Sequence, residues 1–221
     1  MTDRVSAFWV VLFACALVLV GSPARAQQTG LTSAQIASAE REVPELLTLL
    51  ELKPGMTVAD VGAGFGAWTA QLAKALGPAG RVYASDIGPA QLTALRELVS
   101  REGLTNVTVI EGAVDTSHLP ADCCDAILVR DAYHHFTQAE DMVKSLVAAL
   151  KPGGRLAIID FPPRPNSQVP AGVPDDRGGH GVPPEVVERE VGAVLTHVST
   201  RPDWSPESQP ASLYLVVFSK P

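Results

Sequence analysis

Between positions 58 and 67 the chain reads VADVGAGFGA: a short apolar run, three glycines at alternate positions, then the start of a helical stretch. The glycines permit a tight turn and let a ligand approach the main chain closely. The helix that follows points its free N–H groups into the same space. Such a turn belongs at the carboxyl end of a parallel strand, in the crevice where open α/β sheets bind their ligands. The pattern on either side agrees, because strands and helices alternate. Strands are predicted over 57–61, 81–86, 107–111, 126–130 and 155–161, with helices over 67–76, 89–102 and 138–150. A helix over 31–52, with Thr32 or Ser33 as its cap, precedes them, and a short one over 185–195 follows. No helix fits between the last two strands, 197–201 and 213–219, so these pair antiparallel. The predicted class is α/β: a doubly wound, mostly parallel, seven-stranded, Rossmann-like sheet with an antiparallel final strand.

Three segments follow from the same reading. Residues 1–26 have the form of a signal peptide, with fourteen uncharged residues over 7–20 and small residues at Ala24 and Ala26 before Gln27. That run is shorter than the roughly 20 residues a bilayer span needs. Export to a periplasmic or secreted location is therefore expected, with an uncleaved membrane anchor as the alternative. Residues 27–53 form the N-terminal helix, and 54–221 form the main domain. Within it, 162–184 holds seven prolines and is expected to arch over the crevice as an irregular loop. Cys123 and Cys124 are adjacent, so ring strain argues against a bridge and they read as turn residues before a strand. They have too few neighbouring ligands for a metal site, and no metal is expected. A net charge of -7 argues against a nucleic-acid partner, which would require a basic face.

Asp86 ends the second strand, 20 residues beyond Gly66, where a carboxylate can accept both hydroxyls of a ribose. This pair of features also satisfies a dinucleotide fingerprint, since Gly62, Gly64 and Ala67 match G-x-G-x-x-G/A. Three observations weigh against a nicotinamide oxidoreductase. Asp60, two residues before Gly62, suits a cationic amino-acid group better than a pyrophosphate. No tyrosine is followed four residues later by lysine. The chain is also too short for a second catalytic domain. The remaining readings are an enzyme and a non-catalytic binder of an adenosine-containing ligand.

VADVGAGFG, VYASDI, EGAVD, CDAILVRDAYHHF and LKPGGRLAIIDF, in this order and spacing, resemble the class I S-adenosylmethionine-dependent methyltransferases, in particular their small-molecule branch. The resemblance covers residues 46–161 most strongly. It implies S-adenosylmethionine as cofactor and a small molecule as methyl acceptor. Asp60 with Gly62, Gly64 and Gly66 would hold the methionine part, Asp86 the ribose, and Ile87 would pack on the adenine. Asp115 or its loop would approach the adenine amino group. Arg130 would lie near the sulfonium and pair with the cofactor carboxylate or with Asp131. Phe65 stands where the family usually has a small residue, which predicts crowding at the methionyl end.

Catalytic candidates come from the segment after the fourth strand, where His134 and His135 reach the crevice mouth, and from His180 in the proline-rich loop. A histidine base would assist only a protonated acceptor, by about 10²–10⁴-fold. Of the tandem pair, His134 is expected to serve chemistry and His135 structure. The asparagine-proline-proline-aromatic signature of amino-group methylases is absent.

Overall fold

The computed structural model describes residues 30–204 and 213–221, so the leader lies outside the described residues. Seven strands form one sheet: β1 (Thr57–Val61), β2 (Arg81–Asp86), β3 (Val107–Glu111), β4 (Cys124–Arg130), β5 (Leu150–Asp160), β6 (Thr196–Arg201) and β7 (Tyr214–Ser219). Their order is β3-β2-β1-β4-β5-β7-β6. The first five are mutually parallel, and β7 runs antiparallel to both β5 and β6. Five helices complete the fold: α1 (Ser33–Leu49), α2 (Ala67–Leu76), α3 (Pro89–Glu102), α4 (Ala139–Ala149) and α5 (Pro184–Gly192). Among the described residues, no helix is long and apolar enough to cross a membrane.

The central strands read as continuous apolar runs because each side of the sheet has its own core. Val58, Ala126, Leu128, Ala157 and Ile159 face a cluster shared with α1, α2 and Leu98 of α3. Ala59, Val61, Ile127, Val129 and Ile158 alternate to the other face, against α4 and α5. α1 carries the predicted start: the Thr32 side chain accepts from the Gln35 N–H while the Gln35 side chain serves the Thr32 N–H, a reciprocal capping box.

Two local readings need correction. β5 begins at Leu150, not at Arg155, because Gly153 and Gly154 exchange main-chain hydrogen bonds with Lys220, and the register irregularity between Cys124 and Ala126 absorbs the extra residues. Cys123 and Cys124 are joined by a disulfide, where two unbridged residues were expected. The pair stands where the chain enters β4, directly after a turn at Asp122 with φ of +48°.

The 162–184 loop is irregular, as its prolines dictate, yet it is tied down at several points. Arg164 pairs with His180 as an isolated antiparallel bridge, and the Val182 N–H donates to the Phe161 carbonyl. Arg177, in a 3-10 turn over Asp175–Arg177, is buried against the core. Its guanidinium meets Glu190 of α5 at 3.2 Å and faces the Tyr133 ring, whose hydroxyl donates to the same carboxylate.

Candidate active site

Strand order reverses between β1 and β4, and the carboxyl ends of β1, β2, β3 and β4 open there into a crevice of about 570 Å³. Its floor is the glycine turn. Gly66 caps α2 at φ +87°, a left-handed conformation, and a Cβ there would collide with Leu95 and Leu98. Gly66 therefore serves the packing of α2 on α3. Gly64, at φ +56°, has open space where its Cβ would stand, and with Gly62 it lines the crevice.

Asp86 is fixed by that same turn. The Gly64 N–H donates to one carboxylate oxygen at 2.8 Å and the Gly88 N–H to the other at 2.9 Å. A carboxylate has about four lone-pair sites. Two remain, at the crevice, for a pair of hydroxyls. Ile87 follows directly and is 56% exposed; Val114, on the opposite lip, is 47% exposed. Large aliphatic side chains left open on both lips of one crevice suit a flat apolar ring between them. Val114 was not anticipated. Asp115 was expected at this loop, but it is exposed and does not line the crevice, whereas its neighbours Ala113 and Val114 do.

Asp60 and Arg130 are placed differently from the expectation. Asp60 is buried beneath the glycine turn, where Thr69 of α2 donates to it at 2.6 Å. Loss of solvation, partly offset by that hydrogen bond, raises its pKa to about 6. Arg130 is paired with Glu42, not with Asp131. Its guanidinium forms a two-point ion pair with Glu42 of α1, at 2.8 and 2.9 Å, and lies 3.7 Å from the Trp68 ring centroid. Trp68 Nε1 donates to the same carboxylate, so Glu42 ties α1 to the crevice side of the sheet. The signal for Glu42 was an acid beside Val43 on the apolar stripe of an amphipathic helix. Phe65 is not among the residues that line the crevice.

The three candidate histidines do meet. Ring centroids of His134 and His135 are 4.0 Å apart, and His180 stands 4.9 Å from the first and 5.7 Å from the second. Their placement runs opposite to the expected division. His134 is buried, with Nδ1 at 2.8 Å from Asp160 Oδ1, while His135 is exposed and lines the crevice. Asp160 ends β5 fully buried and also accepts from the main-chain N–H groups of His134 and Phe161. It was legible as an acid closing an apolar parallel strand on the crevice side. Although His135 keeps an open edge at the crevice, desolvation of its ring where it packs on the cluster, and then the neighbouring His134 and His180, lower its pKa to about 4. Burial, followed by His134 and Arg164, lowers that of His180. Asp131, at φ +55°, has its pKa raised by burial and by Asp160. At neutral pH both His135 and His180 are therefore unprotonated.

Residues 58–154 match the family model described as a methyltransferase domain. A curated relative from Ectopseudomonas mendocina (strain ymp), a ubiquinone/menaquinone biosynthesis C-methyltransferase, is 29% identical over 116 residues, 52% of this chain. The chain spans about half the length of the curated relatives it matches, 45% of this one. Among solved structures, a SAM-dependent methyltransferase from Aquifex aeolicus is 25% identical with a TM-score of 0.61, covering 83% of this chain and 97% of its own. The [4+2]-cyclase SpnF shares the fold at 15% identity and a TM-score of 0.69, over 84% of this chain and 82% of its own. S-adenosylmethionine, the cofactor of such domains, fits the residues present: two free acceptor sites on Asp86, open lips at Ile87 and Val114, and space above Gly64. The sheet order is that of a Rossmann-like methyltransferase fold, and the glycine turn with Asp86 lies inside the segment, residues 58–154, that matches the methyltransferase-domain model.

Proposed function

We propose that the protein transfers a methyl group from S-adenosylmethionine to a small-molecule acceptor bound between the glycine turn and the histidine cluster. The observation that carries this reading is Asp86, held by two main-chain N–H groups at the crevice with acceptor capacity to spare. Asp86 would hold the ribose, Ile87 and Val114 the adenine, and the main chain at Gly62 and Gly64 the methionine part. Bound there, the cofactor supplies an electrophilic methyl group on a sulfonium. The protein's share is then alignment, which in the best model reactions is worth about 7–11 kcal/mol. His135, unprotonated at neutral pH and open to the crevice, is placed to receive a proton from the acceptor. With a pKa near 4 it is a weak base, so it suits an acceptor that is itself readily deprotonated.

The test is detection of S-adenosylhomocysteine and methylated product by mass spectrometry over a panel of acceptors. The relative from Ectopseudomonas mendocina, a ubiquinone/menaquinone biosynthesis C-methyltransferase, puts ubiquinone and menaquinone precursors on that panel, beside hydroxyl, amine and thiol compounds. Cofactor binding without turnover on every acceptor would favour the non-catalytic reading.

We further propose that residues 1–26 direct export and that the mature chain begins at Gln27. The apolar run and Ala24-Arg25-Ala26 support this, and a disulfide at Cys123–Cys124 suits an oxidising compartment. Mass spectrometry of the native protein decides between a Gln27 terminus and an intact leader serving as an anchor.

A further inference from the structure

The proposed methyl transfer uses His135 only as a weak base and leaves His134 and His180 without a part. The three imidazoles come from two separate segments: His134 and His135 from the 3-10 turn over Tyr133–His135, and His180 from the returning arm of the proline-rich loop. One nitrogen from each can be chosen so that all three lie within 4.8 Å of one another.

The nitrogen accounting is specific. Asp160 already accepts two main-chain N–H groups, so it meets His134 Nδ1 as an acceptor as well. With Nδ1 engaged by Asp160, Nε2 is the nitrogen of His134 left for another partner. His180 Nε2 is buried and has no hydrogen-bond partner among the described residues. Yet the backbone of His180 is held firmly: its N–H donates to Ser167 Oγ at 2.8 Å, and its carbonyl accepts from the Arg164 N–H at 3.0 Å. A loop built to hold an imidazole nitrogen out of water without a partner needs a reason, because buried polar atoms are normally satisfied.

We infer that His134, His135 and His180 form a three-imidazole site for a divalent metal ion of the zinc class, with Asp160 as the carboxylate that orients His134. Neutral imidazoles suit such ions. A carboxylate on the far nitrogen of a ligating histidine is the usual means of fixing its tautomer. Three protein ligands leave one position open, as in zinc sites that bind a reactant. Because His135 lines the crevice, that position opens towards it. Tetrahedral zinc with bonds near 2.1 Å sets its nitrogens roughly 3.4 Å apart, so closing the cluster needs movement on the order of 1 Å, within reach of ring rotation. The buried Asp160 and the exposed Asp131 both lie within reach of His134, and a nearby cation is Arg164, stacked on Phe161 at 4.5 Å. An ion here would replace His135 as the group that activates the acceptor, since a ligating imidazole has no lone pair left for a proton: it would bind the acceptor through oxygen or sulfur, with the acceptor proton released to solvent. That narrows the acceptor to hydroxyl and thiol compounds. This last step rests on the proposed methyl transfer, whereas metal binding itself does not.

The experiment uses the full chain without an affinity tag, stripped with a chelator and titrated with zinc chloride alone in a calorimeter. Saturation at one ion per chain is expected. His135→Ala and His180→Ala, each shown to be folded by circular dichroism, are expected to weaken binding about 100-fold or more. A loss of tenfold or more in both variants supports the site. A smaller loss in either, or no saturable binding by the wild type, overturns it. Neither cofactor nor acceptor is present, so failure here is distinct from failure of the methyl-transfer reading.

Discussion

At the adenosine end of the crevice the recognition groups are main-chain N–H donors and one carboxylate, all within a single strand-turn-helix unit and the end of the next strand. At the histidine end they are side chains drawn from β4, β5 and a loop that returns from residue 180. The first is fixed by local backbone geometry and tolerates exposure. The second depends on burying an ionised carboxylate and satisfying it with three donors. Damage at the two ends should therefore register differently: as lost affinity at one and as lost stability at the other.

The largest effect should come from His134. Replacing it with alanine leaves Asp160 buried with only its two main-chain donors, and we expect a loss of about 3 kcal/mol in denaturant unfolding, the low end for breaking a buried pair. His135→Ala, at an exposed position, should cost about 0.5 kcal/mol or less. Equal losses would erase the distinction drawn between the two histidines.

Asp60 tests whether the floor of the adenosine end carries a hidden cost. Its folded pKa, about 6, lies above the unfolded value of 3.8, so the folded state binds more protons across that window. Stability contributed by Asp60 is therefore lost as pH rises from about 4 to about 6. His135 works in the opposite sense, since its lowered pKa makes stability fall as pH drops from 6.5 towards 4. In the wild type the two partly offset each other. Asp60→Asn should match the wild type below about pH 4 and exceed it above pH 6 by on the order of 2 kcal/mol. Melting curves across that range decide the matter, and a difference independent of pH would contradict it.

A smaller effect is expected at the lips. Ile87→Ala and Val114→Ala should each weaken S-adenosylhomocysteine binding by about 1 kcal/mol, roughly fivefold, with little change in melting temperature because both side chains are already exposed. A melting loss of several degrees without a change in affinity would make them packing residues instead.

The same contrast explains what was legible in the sequence. β1, α2, β2 and α3 have the predicted bounds, because glycine turns, alternating strands and helix caps are written within a few residues of each other. Asp86 was found for that reason: its position follows from the strand it ends. Glu42 and Asp160 were missed because their roles depend on partners 88 and 26 residues away. Arg130 was misdirected by proximity in sequence. Asp131 is its neighbour in the chain, but the strand end turns the guanidinium towards α1, where Glu42 and Trp68 enclose it. The convergence of His134, His135 and His180 was expected from the loop's position, whereas which of the tandem pair faces the crevice depends on a single 3-10 turn. The vicinal disulfide escaped because the ring strain expected of adjacent cysteines argued against a bridge.

The account rests on Asp86 as the group that holds the ribose, and calorimetry with S-adenosylhomocysteine addresses it directly. Asp86→Ala, folded as judged by circular dichroism, should bind about 1.5–3 kcal/mol more weakly than wild type, roughly 10- to 150-fold, the scale of hydrogen bonds to a charged group. His135→Ala, at the other end of the crevice, should stay within about twofold of wild type, the spread expected for a site outside the cofactor cradle. Equal affinities for wild type and Asp86→Ala would contradict the placement of the cofactor in this crevice.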